Sequence, residues 1–177
     1  MTPPEVVALA APEAGARLRE LAAILVDAVE GGASVSFMLP FRHEEALAYW
    51  RGLLPAVAAG RTVLLAALIG GAAVGTVQLG LATPPNQPHR ADVAKLLVHR
   101  RARRRGVGRA LMARVEDEAR RRGRTLLTLD TLTGGEAERL YLALGYVRAG
   151  VIPGYARLPT GPLGDTSIFY KHLGGLT

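Results

Sequence analysis

A basic segment that contains two glycines is the first part of the sequence with the residue types for chemistry. Residues 103–108 read RRRGVG and stand directly before a run with helical periodicity. The start of a helix leaves backbone N–H groups unpaired and carries a positive partial charge. The glycines let the backbone approach a ligand closely, and the arginines add bidentate donors. The segment therefore predicts an anion site that fits a pyrophosphate.

Two well-known phosphate motifs do not match this segment. Leu111 occupies the third glycine position of the dinucleotide fingerprint, and no Gly-Lys-Ser/Thr follows as it does in a P-loop. On the motif alone, the ordinary solvated start of a basic helix remains an open alternative. The net charge of +7 and the 11 arginines between Arg100 and Arg124 suit either a nucleic-acid surface or a pocket for a phosphorylated small molecule.

The elements that hold this segment alternate between helix and strand. Apolar residues at intervals of three and four predict helices at 13–30, 43–59, 107–122 and 134–144. Apolar and β-branched runs predict strands at 62–68, 73–82, 91–98, 125–130, 146–151 and 166–172. The proline-rich segments 83–89 and 153–164 are predicted to be loops. This order predicts one α/β (α+β) domain over residues 1–177, with a mixed sheet and a parallel crossover between 91 and 130.

Composition excludes several kinds of site. The chain has no cysteine, which excludes a disulfide framework, a thiolate metal site and a cysteine nucleophile. Its four histidines lack metal-ligand spacing, so no metal is expected. No Gly-x-Ser-x-Gly elbow is present for serine catalysis.

The N-terminal segment and the apolar runs bear on location. Residues 1–5 read MTPPE and lack the basic start and long apolar run of a signal peptide. The uncharged stretch 62–82 is broken by glycines at 70 and 71 and by Thr76 and Gln78, which favours two strands over a membrane span. We therefore expect a cytoplasmic protein with no membrane partner.

A second motif gives the sequence a family resemblance. Residues 137–146 read AERLYLALGY. Together with residues 103–108 they resemble the GNAT superfamily of N-acetyltransferases, in the expected order and inside a matching series of helices and strands. A closer resemblance, to the tabtoxin-resistance acetyltransferases, lies in residues 31–35, 86–98, 153–155 and 171–174. One departure is Gly134, which stands where many members have an asparagine that contacts pantetheine, so that such a contact would come from the backbone, water or Thr133.

This resemblance implies a GNAT fold and acetyl-CoA as the cofactor. The fold has a central mixed, twisted sheet of six to seven strands with helices on both faces, and its parallel central strands are splayed at the cofactor site. Pantetheine would pair with the backbone of the first splayed strand, and the pyrophosphate would lie on the arginine- and glycine-rich segment. The implied cofactor-binding residues are Leu96, Leu97, Val98, Arg103, Arg104, Arg105, Gly106, Val107, Gly108, Arg109, Ala110 and Tyr141.

The resemblance also implies an acidic pair and a tyrosine as the catalytic residues. Asp130 ends one predicted strand and Asp92 begins its neighbour, and a carboxylate there would act as general base for the amine, directly or through water. The subgroup usually has glutamate where Asp92 stands. Tyr141 would protonate or orient the leaving thiolate, and a backbone N–H such as that of Val98 would stabilise the oxyanion. The alternatives are that Asp130 caps a turn, that Asp92 pairs with Lys95 or Arg90, and that Tyr141 is a core residue.

The acceptor is the least defined part of the expectation. The resemblance implies transfer of acetyl to the primary amine of a small molecule, either amino-acid-like or similar to an antibiotic or toxin. A peptide acceptor and a non-catalytic acetyl-CoA-binding domain are the alternatives. Elements that border the acceptor pocket in this fold carry Phe37, Gln78, His89 and Tyr155. Nucleic acid is not expected, because only 5% of the residues are aromatic and glycines interrupt the basic block. Homodimers are common in the superfamily, but no segment specifies one.

Overall fold

A computed structural model describes residues 3–174 of the chain. Its centre is a seven-stranded sheet in the order β1-β2-β3-β4-β5-β7-β6. The strands are β1 Glu5–Leu9, β2 Thr62–Ile69, β3 Ala72–Gly80, β4 Arg90–Val98, β5 Leu126–Leu132, β6 Val147–Arg157 and β7 Leu163–His172. The helices are α1 Ala11–Ala16, α2 Leu18–Glu30, α3 His43–Ala58, α4 Val107–Arg121 and α5 Glu136–Ala143, with a short 3₁₀ turn at Arg100–Ala102.

The sheet is mixed, as the sequence predicted. Strands β1 to β4 pair antiparallel in succession, and β5, β7 and β6 form a second antiparallel group. The two groups meet where β4 and β5 run parallel, with α4 as the connection between them. Parallel neighbouring strands need such a crossover. The succession of strand, helix and strand patterns along the sequence was therefore sufficient to predict this unit.

Helices cover both faces of the sheet because β2 and β3 are apolar on both sides. In β2, Leu64, Ala66 and Leu68 face a cluster formed with α1, α2 and α3. The alternate residues Val63, Leu65 and Ala67 face α4 and the aromatic residues that follow β5. A strand buried on both faces reads as a continuous apolar run, and the segment TVLLAALI has that composition.

Two expectations about single elements were wrong. The sequence did not predict β1, a five-residue strand whose partner β2 lies more than fifty residues further along the chain. The segment 153–164 was expected to be a loop, but β6 continues to Arg157 and β7 begins at Leu163. The register shifts between Ile152 and Ala156, and an edge strand tolerates a proline at such an irregularity.

Two smaller observations complete the fold. The helix predicted at 13–30 is two helices that meet at Arg17. Within residues 3–174, no helix is long and apolar enough to cross a membrane. Met1 and Thr2, which belong to the N-terminal segment used for the location prediction, lie outside the described residues.

Candidate functional site

The site begins where the two central strands separate. Strands β4 and β5 share three register pairs, the last of which joins Asp92 to Thr128. Beyond that pair the two strands no longer pair with each other, although β4 continues to Val98 and β5 to Leu132. The gap between them opens into a cavity of about 770 Å³. The strands are therefore splayed at their C-terminal ends, as the resemblance implied.

A bulge in β4 increases this separation. Thr76 and Gln78 of β3 pair with Leu97 and Ala94, so that two residues of β4 oppose one residue of β3. Lys95, the first of the two, has a φ of 52°. A bulge bends its strand and increases the local twist. The bulge also changes which side chains face which side, because Leu97 packs with the α1–α3 cluster whereas Val93 packs with the α4 cluster.

Most of the predicted cofactor residues line this one cavity. The start of α4 forms one wall, where Gly106 is the residue before the helix and has a φ of 75°. That backbone conformation favours glycine. Arg105 and Ala110 are not among the lining residues. The predicted residues that do line the cavity are Leu96, Leu97, Val98, Arg103, Arg104, Gly106, Val107, Gly108, Arg109 and Tyr141.

A buried acid that the sequence analysis missed anchors the segment before α4. Asp27 of α2 is 7% exposed. Its carboxylate accepts a hydrogen bond of 2.9 Å from the backbone N–H of Arg100 and forms an ion pair with the Arg100 guanidinium. The contact fixes the beginning of the basic segment against α2. The one signal for it in the sequence is an acid on the apolar face of a predicted helix.

Asp130 and Tyr141 both line the cavity on the side of β5 and α5. Asp130 is an exposed residue of β5. Tyr141, in contrast, is only 5% exposed, and its ring packs against the rings of Tyr146 and Phe169. Burial, together with the negative charge of Asp130, raises the pKa of Tyr141. The hydroxyl therefore keeps its proton at neutral pH, as a proton donor must.

Asp92 lies outside the cavity lining. Its carboxylate pairs with Arg90 and accepts a hydrogen bond from the hydroxyl of Thr128. Arg90 also donates to the Thr128 hydroxyl at 2.8 Å. The pairing with Arg90 was the alternative left open for this residue. A role for Asp92 as a base stays a prediction, and it would require this arrangement to change.

The four predicted acceptor residues are not among the cavity-lining residues. Gln78 is buried and donates to the Tyr49 hydroxyl at 2.8 Å. Phe37 packs against Tyr49, with ring centroids 5.4 Å apart. His89 directly precedes β4 and so lies at the opposite end of that strand from the gap, and Tyr155 is exposed on β6.

Gly134 has a φ of 78°, a conformation that favours glycine, and its backbone belongs to a local hydrogen-bond network. The Gly134 N–H donates to the carboxylate of Glu138 at 2.5 Å. The same carboxylate accepts from Ser167 at 2.8 Å and from Arg148 at 3.2 Å. These contacts, with the Gly134 N–H first, hold the pKa of Glu138 below its ordinary value. Thr133 hydrogen-bonds Ser167 at 2.9 Å, so both residues named for a pantetheine contact support the start of α5.

The sequence analysis also missed part of the opposite wall. Residues 31–36, between α2 and α3, line the cavity together with Lys95. Lys95 is one of only two lysines in the chain, and this is the one signal in its favour. No group of three or more potential metal ligands occurs within residues 3–174.

Comparisons with known proteins agree with this architecture. The sequence pattern of the acetyltransferase (GNAT) family matches residues 32–146. Three solved structures superpose over nearly the whole chain. The yncA protein, a candidate acetyltransferase from Salmonella typhimurium solved with its cofactor acetyl-CoA, has a TM-score of 0.78 at 19% identity and covers 98% of this chain and 96% of its own.

The other two neighbours differ in the acceptor they are named for. The ribosomal-protein-alanine N-acetyltransferase from Brucella melitensis has a TM-score of 0.75 at 24% identity and covers 95% of this chain and 99% of its own. A candidate phosphinothricin N-acetyltransferase has a TM-score of 0.78 at 17% identity and covers 97% and 99%. Identities this low support the fold and leave the acceptor open.

Proposed function

Because the chain belongs to the acetyltransferase (GNAT) family, we propose that it transfers the acetyl group of acetyl-CoA directly to the primary amine of a small molecule. The family and its solved neighbours make it an N-acetyltransferase that uses acetyl-CoA. The proposal concerns the acceptor and the residues that act on it. The observation that carries it is the meeting of the start of α4, Asp130 and Tyr141 in one cavity.

The residues around the cavity fit the cofactor. The backbone of Leu96 to Val98 faces the gap without a strand partner on β5 and is available to an extended ligand. The start of α4, with Arg103 and Arg104 beside it, suits a pyrophosphate because unpaired amide groups and positive charge coincide there. Acetyl-CoA, when bound, supplies an acetyl thioester. Arg105 and Ala110 remain predicted ligands with weaker support.

The first chemical requirement of the reaction is a base that removes a proton from the acceptor amine, and a carboxylate can serve as this base. An alkylammonium has a pKa of roughly 10 and no free lone pair, so the acceptor must lose a proton before it can attack. Two carboxylates line the cavity, Asp130 and Glu136. Because Glu136 pairs with Arg104 at 3.6 Å, we assign the proton transfer to Asp130. Asp92 is the second choice because it lies outside the cavity lining and because Arg90 and Thr128 both contact its Oδ1.

The remaining steps need donors. The backbone N–H of Val98 would stabilise negative charge on the carbonyl oxygen. Tyr141, protonated at neutral pH, would donate to the departing sulfur. Both assignments follow from the position of these residues on opposite walls of the cavity.

A contact between loops supports a small acceptor over a peptide. The segment 33–36 lines the cavity and continues to Leu39, whose N–H donates to the carbonyl of Pro159 at 3.0 Å. Pro159 lies in the turn between β6 and β7. The hydrogen bond thus joins the α2–α3 loop to the second half of the sheet. An extended peptide requires an open groove, and this junction restricts one.

The test is release of free thiol from acetyl-CoA in the presence of amines. The panel contains tabtoxinine-β-lactam, amino acids, aminoglycosides, polyamines and short peptides. We expect release with one class of small amine, and a decrease in kcat of about 10²-fold or more in Asp130→Asn, with the KM for acetyl-CoA unchanged.

Asp117→Asn is the matched control. Asp117 is an exposed acid of α4 that pairs with Arg120, so its replacement should leave kcat unchanged. Release with peptides alone would move the acceptor to a protein. Equal kcat values for Asp130→Asn and Asp117→Asn would remove Asp130 from the mechanism.

A further inference from the structure

We propose that Lys95 binds an anionic group of the acceptor, so that the acceptor is an amine that also carries a carboxylate or a similar small anion. The inference rests on the proposed small-molecule acetyltransferase function and adds the chemical class of its acceptor. It makes Lys95 a specificity-determining residue, distinct from the catalytic Asp130.

The ammonium group of Lys95 is held in place by the α1–α3 side of the protein. Its Nζ lies 5.9 Å from the ring centroids of both Phe37 and Tyr49. It donates to the Ser36 hydroxyl at 3.3 Å. The bulge and the positive φ of Lys95 direct the residue there. Aromatic faces attract a cation, so these neighbours orient the ammonium, and none of them carries a negative charge.

Comparison with the other lysine makes this environment clear. Lys171 forms an ion pair of 2.7 Å with Glu116 and donates to the carbonyl of Leu144 at 2.8 Å. Lys95 forms no ion pair with any carboxylate of residues 3–174. Burial lowers the pKa of Lys95, and the charge of Asp130 opposes this decrease. A half-buried cation that has no carboxylate in direct contact is stabilised when a ligand brings an anion to it.

Two of the charged residues that line the cavity define a complementary ligand. Lys95 and Asp130 both line the cavity, and they do not form an ion pair with each other. An acceptor that places its amine at Asp130 and an anion at Lys95 satisfies both groups. A polyamine would instead place a positive charge against Lys95, which is unfavourable. The pattern of charges therefore favours a zwitterion.

The cofactor has its own basic residues, which separates the two roles. Arg103, Arg104 and Arg109 line the cavity at the start of α4, where the phosphates of the cofactor would lie. Lys95 is instead the first residue of the bulge in β4, and its Nζ contacts Ser36 at 3.3 Å. Its replacement should therefore change the acceptor parameters and leave the KM for acetyl-CoA unchanged.

The experiment compares each of the standard amino acids with its amide, which keeps the amine and removes the anion. The proteins are the wild type, Lys95→Met, Lys95→Arg and the control Arg51→Met, an exposed residue of α3 outside the cavity. We expect the best wild-type substrate to be preferred over its amide by about 10- to 100-fold in kcat/KM, the effect of one charge-assisted hydrogen bond. Lys95→Met should lose this preference without slowing the amide, Lys95→Arg should retain part of it, and Arg51→Met should match the wild type.

Calorimetric titration of the CoA-bound enzyme with the same pairs measures acceptor binding without turnover. This binding measurement tests the inference even if no amine is acetylated. The absence of acetylation would by itself contradict only the proposed function. The inference is overturned if no amino acid binds better than its amide, or if the preference survives in Lys95→Met. It is also overturned if Lys95→Met raises the KM for acetyl-CoA instead, or if polyamines or peptides are the only acceptors.

Discussion

Gly75 of β3 gives the strictest test of how the sheet supports α4. A Cβ atom at this position would lie 2.9 Å from Cγ1 of Val107, 3.0 Å from the carbonyl oxygen of Leu97 and 3.2 Å from Cδ1 of Leu111. The Leu97 oxygen belongs to the neighbouring strand of the ladder and has little freedom to move. Gly75→Ala therefore forces α4 away from the sheet.

The magnitude follows from two opposing effects. Overpacking of a core costs about 1–3 kcal/mol, and loss of glycine flexibility in the unfolded chain returns about 0.4–1 kcal/mol. We expect a net decrease in the free energy of unfolding of about 1–2 kcal/mol. For a chain of this length that lowers Tm by roughly 2–8 °C. Because Val107 is the first residue of α4, the affinity for CoA should decrease as well.

Gly80→Ala is the control on the same strand. Its Cβ would meet the Asp92 carbonyl oxygen at 3.5 Å and the Asp92 Cβ at 3.8 Å, which are ordinary contacts. This variant should unfold at the wild-type temperature or slightly above it. Thermal unfolding followed by circular dichroism, and calorimetric titration with CoA, measure both effects. If Gly75→Ala is as stable as Gly80→Ala, the steric reasoning is refuted.

Two further predictions concern α5. Tyr141→Phe keeps the packing against Tyr146 and Phe169 but removes the proton donor. Steady-state kinetics should therefore show kcat reduced by about 10²-fold, with Tm nearly unchanged. An unaltered kcat would mean that Tyr141 is a core residue only. Glu138→Gln should lower the free energy of unfolding by about 1–3 kcal/mol at pH 7. The pKa of Glu138 is depressed in the folded protein, so this difference is present above the ordinary value of 4.5 and disappears as the pH falls through the folded pKa. Urea unfolding at several pH values tests this, and a difference that does not vary with pH would contradict it.

The elements that sequence analysis predicted well are those whose signal is local. The helix at 107–121 repeats Val107, Leu111, Val115 and Ala119 on one buried face, and Gly106 marks its start. The segment predicted to bind the cofactor has a local signal too, since its arginines and glycines are adjacent in sequence, and most of it lines the cavity. Asp130, near the end of a clear apolar strand, also lines the cavity, and its role stays a prediction.

The features that were missed depend on contacts between distant segments. Strand β1 exists because β2 offers it an edge, and Pro153 in β6 is tolerated because that strand is at the edge of the sheet. The bulge at Lys95 follows from the register of β4 on β3, which no local pattern reports. Phe37 and Gln78 do not line the cavity, and both contact Tyr49, so their assignment to the acceptor pocket stays a prediction.

The three register pairs between β4 and β5 have a mechanical consequence. They are the backbone link between a four-stranded and a three-stranded half of the sheet, whereas the side chains of both halves belong to one cluster that includes Leu111, Leu127 and Phe169. The boundary between the two halves of the sheet therefore has few backbone hydrogen bonds but extensive side-chain packing. Changes in the volume of buried residues such as Leu127 and Phe169 would change the width of the gap without replacing any residue that lines it. In this architecture, core substitutions far from the site can therefore adjust the width of its gap.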